Sequence, residues 1–514
     1  MDMNVGIQNR FQEWLKSQAL VHPEKTFIRS VDLDADRSIT YRAAYESSCR
    51  IGQYLKSKDF QANDRVALMS NNSIEHLLVY IGVMAYGATV CTIHVEMNAL
   101  YIDEIISSVK PKVILFEEAA GLDLSSINDI EKLPLGQFDK ANESTFYGTL
   151  SNFDGEHAGL AVNSADDIAS IFYTSGTSSK PKGVMYSFGD LTQNAEEVAQ
   201  GFDLSQDDRM LDFRSFNWMS AQVLSALGIL SVGATLLLAR KFSSSNFFNW
   251  IKDHRATIAA GNPTTINMLI NRPVNIKGSD IPHLRYITSS SAPLLIQDWQ
   301  KFENFYGIDI SQGYGSSETG WIAASHEKQR RRGSVGKPLP YQNLTIVNGE
   351  GETLPAKSIG DIELGPRVDS EFKYLGEDGE KAVAAVGRVK TGDMGYLDGD
   401  GFLFVSGRQK DLIIRGGINI SPLEIENVIL AMPGIAEVAA LGIDDEIYGE
   451  DIVALVVLQK NAEVSSQDVI NHCKQNLSDV KLPRTVRILS KLPKTDRGKL
   501  DRKSLKELWS SSEG

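Results

Sequence analysis

A strand that runs straight into a segment unable to be strand or helix constrains this chain most. Ile168-Ala169-Ser170-Ile171-Phe172 is an apolar run suited to a buried strand. Tyr173-Thr174-Ser175-Gly176-Thr177-Ser178-Ser179-Lys180-Pro181-Lys182-Gly183-Val184 follows at once. Gly176 and Gly183 loosen the backbone there, and Pro181 removes a hydrogen-bond donor. Such a segment can wrap a polyphosphate, with backbone N–H groups and hydroxyls as neutral donors and Lys180 and Lys182 as charge. A plain surface loop has the same composition. The phosphate loop G-x-x-x-x-G-K-[ST] does not fit, because the fifth residue on from Gly176 is Pro181.

Around this stretch, short apolar runs alternate with helical patterns. Residues 25–28, 66–69, 87–91, 113–116, 235–238, 257–260 and 284–288 read as strands. Helices are expected over 7–20, over 41–55, and from beyond 72 up to 86. This alternation predicts parallel α/β layers. Residues 135–165 read as irregular surface. No residue from 217 to 239 is charged, a length that raises the question of a membrane span. Gly228 and Gly233 interrupt the run, and it reads instead as a buried helix over 221–230 followed by a strand over 234–239.

After residue 340 short strands with Gly-Asp turns suggest a small β-rich subdomain. From about 409 a smaller α+β unit follows, with helices over 422–430 and 466–475 and strands over 438–441 and 453–458. At 514 residues two or more domains are expected. The division read here is an N-terminal domain over 1–407, a hinge over 408–411 and a C-terminal domain over 412–514.

The net charge of −14 argues against a nucleic-acid partner, so an anionic ligand must meet a local basic patch. Cys49, Cys91 and Cys473 lack metal-ligand spacing and are expected as reduced thiols in a cytoplasmic protein. The start, Met1-Asp2-Met3-Asn4, has no basic segment followed by an apolar one, so no signal peptide is expected.

Four further stretches carry chemistry. In Gln312-Gly313-Tyr314-Gly315-Ser316-Ser317-Glu318-Thr319, glycines flanking Tyr314 would let an aromatic face approach a flat base, and Glu318 is placed to hold a magnesium ion bridging phosphates; a simple turn is the other reading. Thr391-Gly392-Asp393 puts a carboxylate after a tight turn, suited to accepting two hydroxyl hydrogen bonds. The stretch from Gly407-Arg408-Gln409-Lys410-Asp411 through Gly416-Gly417 to Ser421-Pro422-Leu423-Glu424-Ile425-Glu426 is a turn, a short strand, a glycine pair and a helix opening at proline. Pro493-Lys494-Thr495-Asp496-Arg497-Gly498-Lys499-Leu500 ends in a lysine that is either solvated or electrostatic in role.

Together these motifs resemble the adenylate-forming superfamily of acyl-CoA synthetases, peptide-synthetase adenylation domains and beetle luciferases, over about residues 10 to 505. The first loop is similar to [ST]-S-G-[ST]-T-G-x-P-K-G, with Ser178 for a threonine and Ser179 for a glycine; the others are similar to Y-G-x-T-E, T-G-D, G-R-x-[KD]-D and G-K-[IL]. The resemblance implies the superfamily fold, with a mobile C-terminal domain, and ATP, Mg²⁺ and coenzyme A as the small molecules bound. It implies that Thr174, Ser175, Gly176, Thr177, Ser178 and Lys182 cradle phosphates. Gly313, Tyr314 and Gly315 would meet adenine, Ser317 a phosphate, Glu318 the magnesium ion, and Asp393 with Arg408 the nucleotide. Lys499 would be catalytic, neutralising charge between carboxylate and α-phosphate, and Lys410 would be the pivot. Gly416 and Gly417 would line the pantetheine path, and Arg330, Arg331 and Arg332, preceded by Lys328, either bind CoA phosphates or form a solvated loop.

By the same resemblance the acyl pocket takes Asn217, Trp218, Asn262, Ser290, Ser291 and Ala292. The aspartate that holds an amino acid's ammonium in peptide synthetases is absent, and a small or medium organic acid is expected. Trp218 and Met219 either narrow that pocket, stack on an aromatic or cationic group, or belong to the core. The expected activity is ATP-dependent carboxylate–CoA ligation through an acyl-adenylate; the alternatives are loading of a carrier protein, luciferase-like oxidation, and a retired binding protein. The expected partners are small molecules, with assembly as a homodimer left open.

Overall fold

The structure is a computed structural model and describes residues 9–32, 37–140, 142–173, 181–365, 371–494 and 500–511. Two large sheets carry the first two-thirds of the chain. One runs, edge to edge, Lys337–Pro338, Gly320–Ala324, Ile310–Ser316, Tyr286–Ser289, Ile258–Ala259, Arg209–Asp212, Thr235–Leu238, Thr26–Ser30, Ser38–Thr40. Its six central strands are parallel and its margins antiparallel. The other has a parallel run through Ile168–Tyr173, Thr89–Thr92, Arg65–Met69, Val113–Phe116 and Glu131–Pro134, extended antiparallel by Gly183–Ser187, Glu371–Leu375 and Lys381–Val386. The alternation predicted from sequence is therefore present, because strands buried on both faces read as continuous apolar runs.

Helices between the sheets form the main core. All thirteen residues of Ile74–Tyr86 are buried, as expected of a helix that is apolar all round. Ser73 caps its start through the His76 N–H, and Gly87 ends it at φ +108°. Its core contains Val66 and Leu68 of one sheet and Ile28, Leu236 and Leu238 of the other.

The uncharged run folds as expected, a buried helix followed by a strand, with one local difference: Met219–Ala221, Gln222–Gly228 and Ile229–Val232 are one continuous helical path whose middle part is a π turn. The wide turn absorbs Gly228 in its interior, and Gly233, at φ +76°, is the real stop. Among the described residues no helix is long and apolar enough to cross a membrane. Residues 135–165 are mostly irregular but hold the short helix Phe146–Leu150.

The β-rich part is an antiparallel sheet of Thr345–Val347, Gly360–Leu364, Val389–Leu397 and Leu403–Arg408. From Arg408 the chain passes through the 3₁₀ turn Gln409–Asp411 into a further sheet. That sheet contains Ile418–Ile420, Ile413–Arg415, Gly449–Leu458, Ile435–Asp445 and Thr485–Leu489, packed by Pro422–Leu430 and Ser466–Asn476. Its apolar clusters lie at residue 413 and beyond, apart from Leu295, which packs against them from the N-terminal part.

Candidate active site

Parallel strands point their carboxyl ends to one edge, where loops are free to carry polar groups. Here both large sheets bring such ends to one seam. The loop Ser70-Asn71-Asn72 leaves one sheet, and the Asn72 amide donates to the carbonyls of Phe213, Arg214 and Ala239 at 3.5, 2.9 and 3.1 Å in the other. Its oxygen accepts the Phe216 N–H at 2.9 Å.

The predicted phosphate loop leaves Ile168–Tyr173 and re-enters at Gly183–Ser187, with Tyr173 paired to Gly183, so its ends are adjacent. Thr174, Ser175, Gly176, Thr177 and Ser178 lie outside the described residues. Gly183 has a packing reason: a Cβ would stand 3.0 Å from the Tyr173 ring and 3.1 Å from Leu375. The Lys182 ammonium lies 5.6 Å from the Tyr374 ring centre. Burial, and then the charge of Glu318, raise the Tyr374 hydroxyl's pKa.

Tyr314, Asp393 and Arg408 come together. The Tyr314 hydroxyl donates to Asp393 Oδ2 at 2.5 Å, and Arg408 Nε stands 3.2 Å from Oδ1. Asp393 and Arg408 are cross-strand partners. Gly392 turns at φ +74°, and Thr391 Oγ1 accepts the Asp393 N–H at 3.1 Å. Burial, reinforced by Asp393, drives the Tyr314 pKa far up, so the phenol stays a donor. Ser317 offers its carbonyl to the Tyr186 hydroxyl at 3.0 Å, fixing the turn that bears Glu318.

The glycines flanking Tyr314 have a packing cause. A Cβ on Gly313 would stand 2.6 Å from Trp321 and 2.7 Å from Phe202, and one on Gly315 would stand 2.4 Å from the Gly320 carbonyl. Packing behind the strand by itself requires glycine there.

The acid segments also converge, with changed roles. Asn217 donates to the Ser70 carbonyl at 2.9 Å, and the Trp218 ring lies 5.4 Å from that of His94. Asn262 spends its side chain capping the helix Pro263–Asn271, accepting from the Thr265 N–H at 2.8 Å. Ser290 is buried, and its Oγ is 3.5 Å from Arg214 Nη1. Arg214 is otherwise bound to Asp212, at 2.7 Å from Nη2, and to Ser225 at 3.2 Å. Ser291 sits at φ +74°, a strained conformation for a residue with a side chain, and Ala292 follows half-buried.

Lys410 is exposed in the 3₁₀ turn Gln409–Asp411. Gly416 and Gly417 both have positive φ, and the Gly416 N–H donates to the Tyr448 carbonyl at 2.8 Å. Lys499 lies outside the described residues; the flanking Lys494 and Leu500 pair with each other, and Lys494 bridges to Glu437 at 2.9 Å.

The arginine cluster is not a bare cationic patch. Arg330 pairs with Glu303 at 2.5 Å and with Asp309; Arg331 pairs with Asp398 and, at 2.7 Å, with Asp400; Arg332 pairs with Glu303 at 2.7 Å. Lys328 lies 3.5 Å from Asp203. Arg330, Arg331 and Arg332 thus sit in an ion-pair network with acids distant in sequence.

Sequence reading missed Asn72, His76, Tyr186, Gln222 and Tyr374. His76 is fully buried, hydrogen-bonded through Nδ1 to Ser70 Oγ at 2.7 Å and through Nε2 to the Phe216 carbonyl at 3.3 Å.

Known proteins resemble this chain along most of its length. Residues 15–365 match the family model described as AMP-binding enzyme, and 424–499 match that of the AMP-binding enzyme C-terminal domain. An indoleacetate–CoA ligase of Aromatoleum aromaticum is 31% identical over 510 residues, spanning 96% of this chain and 97% of that protein. An oxalate–CoA ligase of Arabidopsis thaliana is 29% identical over 487 residues, spanning 92% and 94%. Among solved structures, ATP-bound MatB from Rhodopseudomonas palustris superposes with a TM-score of 0.83 at 25% identity, covering 98% of this chain and 99% of that one. With the longer model alone covering more than half of its length, the chain belongs to the AMP-binding enzyme family.

Proposed function

We propose that the protein is an ATP-dependent carboxylate–CoA ligase that activates a small or medium organic acid as its acyl-adenylate. The observation that carries this is the meeting of Tyr314, Asp393 and Arg408. The relatives named as indoleacetate–, oxalate– and sulfoacetate–CoA ligases support it.

In the first half-reaction a carboxylate oxygen attacks the α-phosphorus of ATP and pyrophosphate leaves with its electron pair. Asp393 holds the ribose hydroxyls, oriented by Tyr314 and Arg408. The hydroxyls and N–H groups of 174–178, with Lys182, hold the phosphates. Glu318 would hold a magnesium ion, a hard cation that a carboxylate suits. That ion would screen phosphate charge when bound. Lys499 faces the charge building between carboxylate and α-phosphate. In the second half-reaction the CoA thiolate attacks the acyl carbonyl and AMP leaves, after the C-terminal domain, 412–514, has turned about Lys410 in the hinge 408–411. Gly416 and Gly417 then flank the pantetheine arm. We place this chemistry in the cytoplasm, where ATP and CoA are found.

The test is pyrophosphate release from MgATP across a panel of carboxylic acids, with and without CoA. An acid that drives release while CoA is consumed as its thioester is the expected result. Release once per enzyme, with CoA without effect, assigns the acyl group to a carrier protein instead.

A further inference from the structure

We infer that the acid's tail carries a neutral hydrogen-bond donor, a hydroxyl or an N–H, received by the side-chain oxygens of Asn217 and Gln222. This rests on the ligase reading above and narrows its substrate class.

Two buried amides stand on the segment that crosses the seam between the sheets. Asn217 is 3% exposed and Gln222 0%. Asn217 Nδ2 donates to the Ser70 carbonyl at 2.9 Å and to Ser215 Oγ at 3.3 Å. Gln222 Nε2 donates to the Phe216 carbonyl at 2.7 Å and to Thr92 Oγ1 at 2.9 Å. Among the described residues neither Asn217 Oδ1 nor Gln222 Oε1 meets a donor.

Turning either amide over does not repair this. Each nitrogen faces a backbone carbonyl, which only accepts, so the flipped oxygen would oppose another oxygen. The oxygens are therefore fixed as acceptors. A buried acceptor without a donor is costly, and native structures keep few of them without a reason. Among the eleven buried polar atoms without a partner in the described residues, these two are amide oxygens five residues apart in sequence, where ligands bind in open α/β sheets. Gln222 also opens the π turn, a distortion frequent at functional sites.

The surrounding charges select the donor. Asp212 is bound by Arg214 and Ser225, so its carboxylate is not available to hold an ammonium. His76 already donates its Nε2 proton to the Phe216 carbonyl and cannot turn it to a ligand. A second carboxylate on the acid would bring lone pairs to lone pairs. A neutral hydroxyl or N–H supplies the donor that an amide oxygen lacks.

The experiment compares matched acids on the purified full-length enzyme with MgATP and CoA: 4-hydroxybenzoate against 4-methylbenzoate, and 6-hydroxyhexanoate against heptanoate. The donor-bearing member of at least one pair should have the higher kcat/KM by about ten- to a hundredfold, the range for leaving a buried acceptor unpaired. In Asn217→Leu and Gln222→Met that ratio should collapse towards one. Because the ratio is taken within one protein, partial loss of folded variant does not change it. Equal or reversed preference in the wild type, measured without any variant, overturns the inference and leaves the ligase reading standing. So does a preference that both variants retain. No pyrophosphate release with any of the acids overturns the ligase reading, and this inference falls with it.

Discussion

At Tyr314 the useful property is the proton that burial keeps on its oxygen. The phenol donates to Asp393 while Arg408 stands at the other carboxylate oxygen, so the carboxylate is held in one orientation. Tyr314→Phe removes a bond to a charged acceptor and keeps the ring. The KM for ATP should rise about tenfold, the order expected for such a bond, with kcat less affected. Steady-state kinetics with saturating acid and CoA checks this; an unchanged KM would show that Tyr314 does not orient Asp393. His76 gives a pH effect of definite sign. Burial lowers its pKa from 6.5 to about 4, so between those values the unfolded chain takes up a proton that the folded chain refuses. This contribution is whole above pH 6.5 and drains away as pH falls towards 4, amounting to about 3 kcal/mol at most. The thermal midpoint should drop over that window, and the drop should be shallower in His76→Gln. Equal slopes would remove His76 as the cause.

At the scale of elements, local chemistry was legible and long-range chemistry was not. The helix Pro422–Leu430 begins and ends where the sequence indicates, because proline at its first position marks the start. Strands such as Val113–Phe116 announce themselves by apolar runs. The glycine–tyrosine–glycine strand and the glycine-flanked aspartate were found, but the reason for Gly313 lies in Trp321 and Phe202, which only packing reveals. The helix through Gly228 was legible, but its π turn over Gln222–Gly228 was not, since apolar spacing does not separate a π turn from an α-helix. Asn72 left no signal, since its carbonyl partners stand 141, 142 and 167 residues away. Asn72→Ala should orphan those carbonyls and the Phe216 N–H, costing about 2–4 kcal/mol. A thermal midpoint several degrees lower, with a raised KM for the acid, is the expected result; an unchanged midpoint would show that the seam holds without it.

For the whole molecule, the question is how one protein serves two reactions. The C-terminal sheet has its own apolar clusters and meets the larger part through few groups, among them Leu295 and the Ile296 N–H, which donates to Asn427 Oδ1 at 3.3 Å. Contacts so sparse are compatible with rotation about the exposed turn Gln409–Asp411. Lys410→Pro fixes φ at the pivot. It should leave acid-dependent pyrophosphate release within about twofold and slow thioester formation from supplied acyl-adenylate by about tenfold or more, an estimate scaled to gating steps that limit turnover. Single-turnover assays of each half-reaction separate the two, and an undisturbed second step would move the pivot elsewhere.

The loop through Asn72 has a consequence for how acid preference can change. Its amide is bonded to the same 213–216 segment that leads into Asn217 and Gln222, and Ser70 and Thr92 hold the nitrogens of those two residues. The specificity wall and its anchor therefore come from opposite halves of the fold. A donor segment transplanted from a relative would arrive without its matching anchor, so residues 70–92 and 213–222 form one heritable unit: grafts that carry both inherit a preference, and grafts that carry one inherit a mismatch.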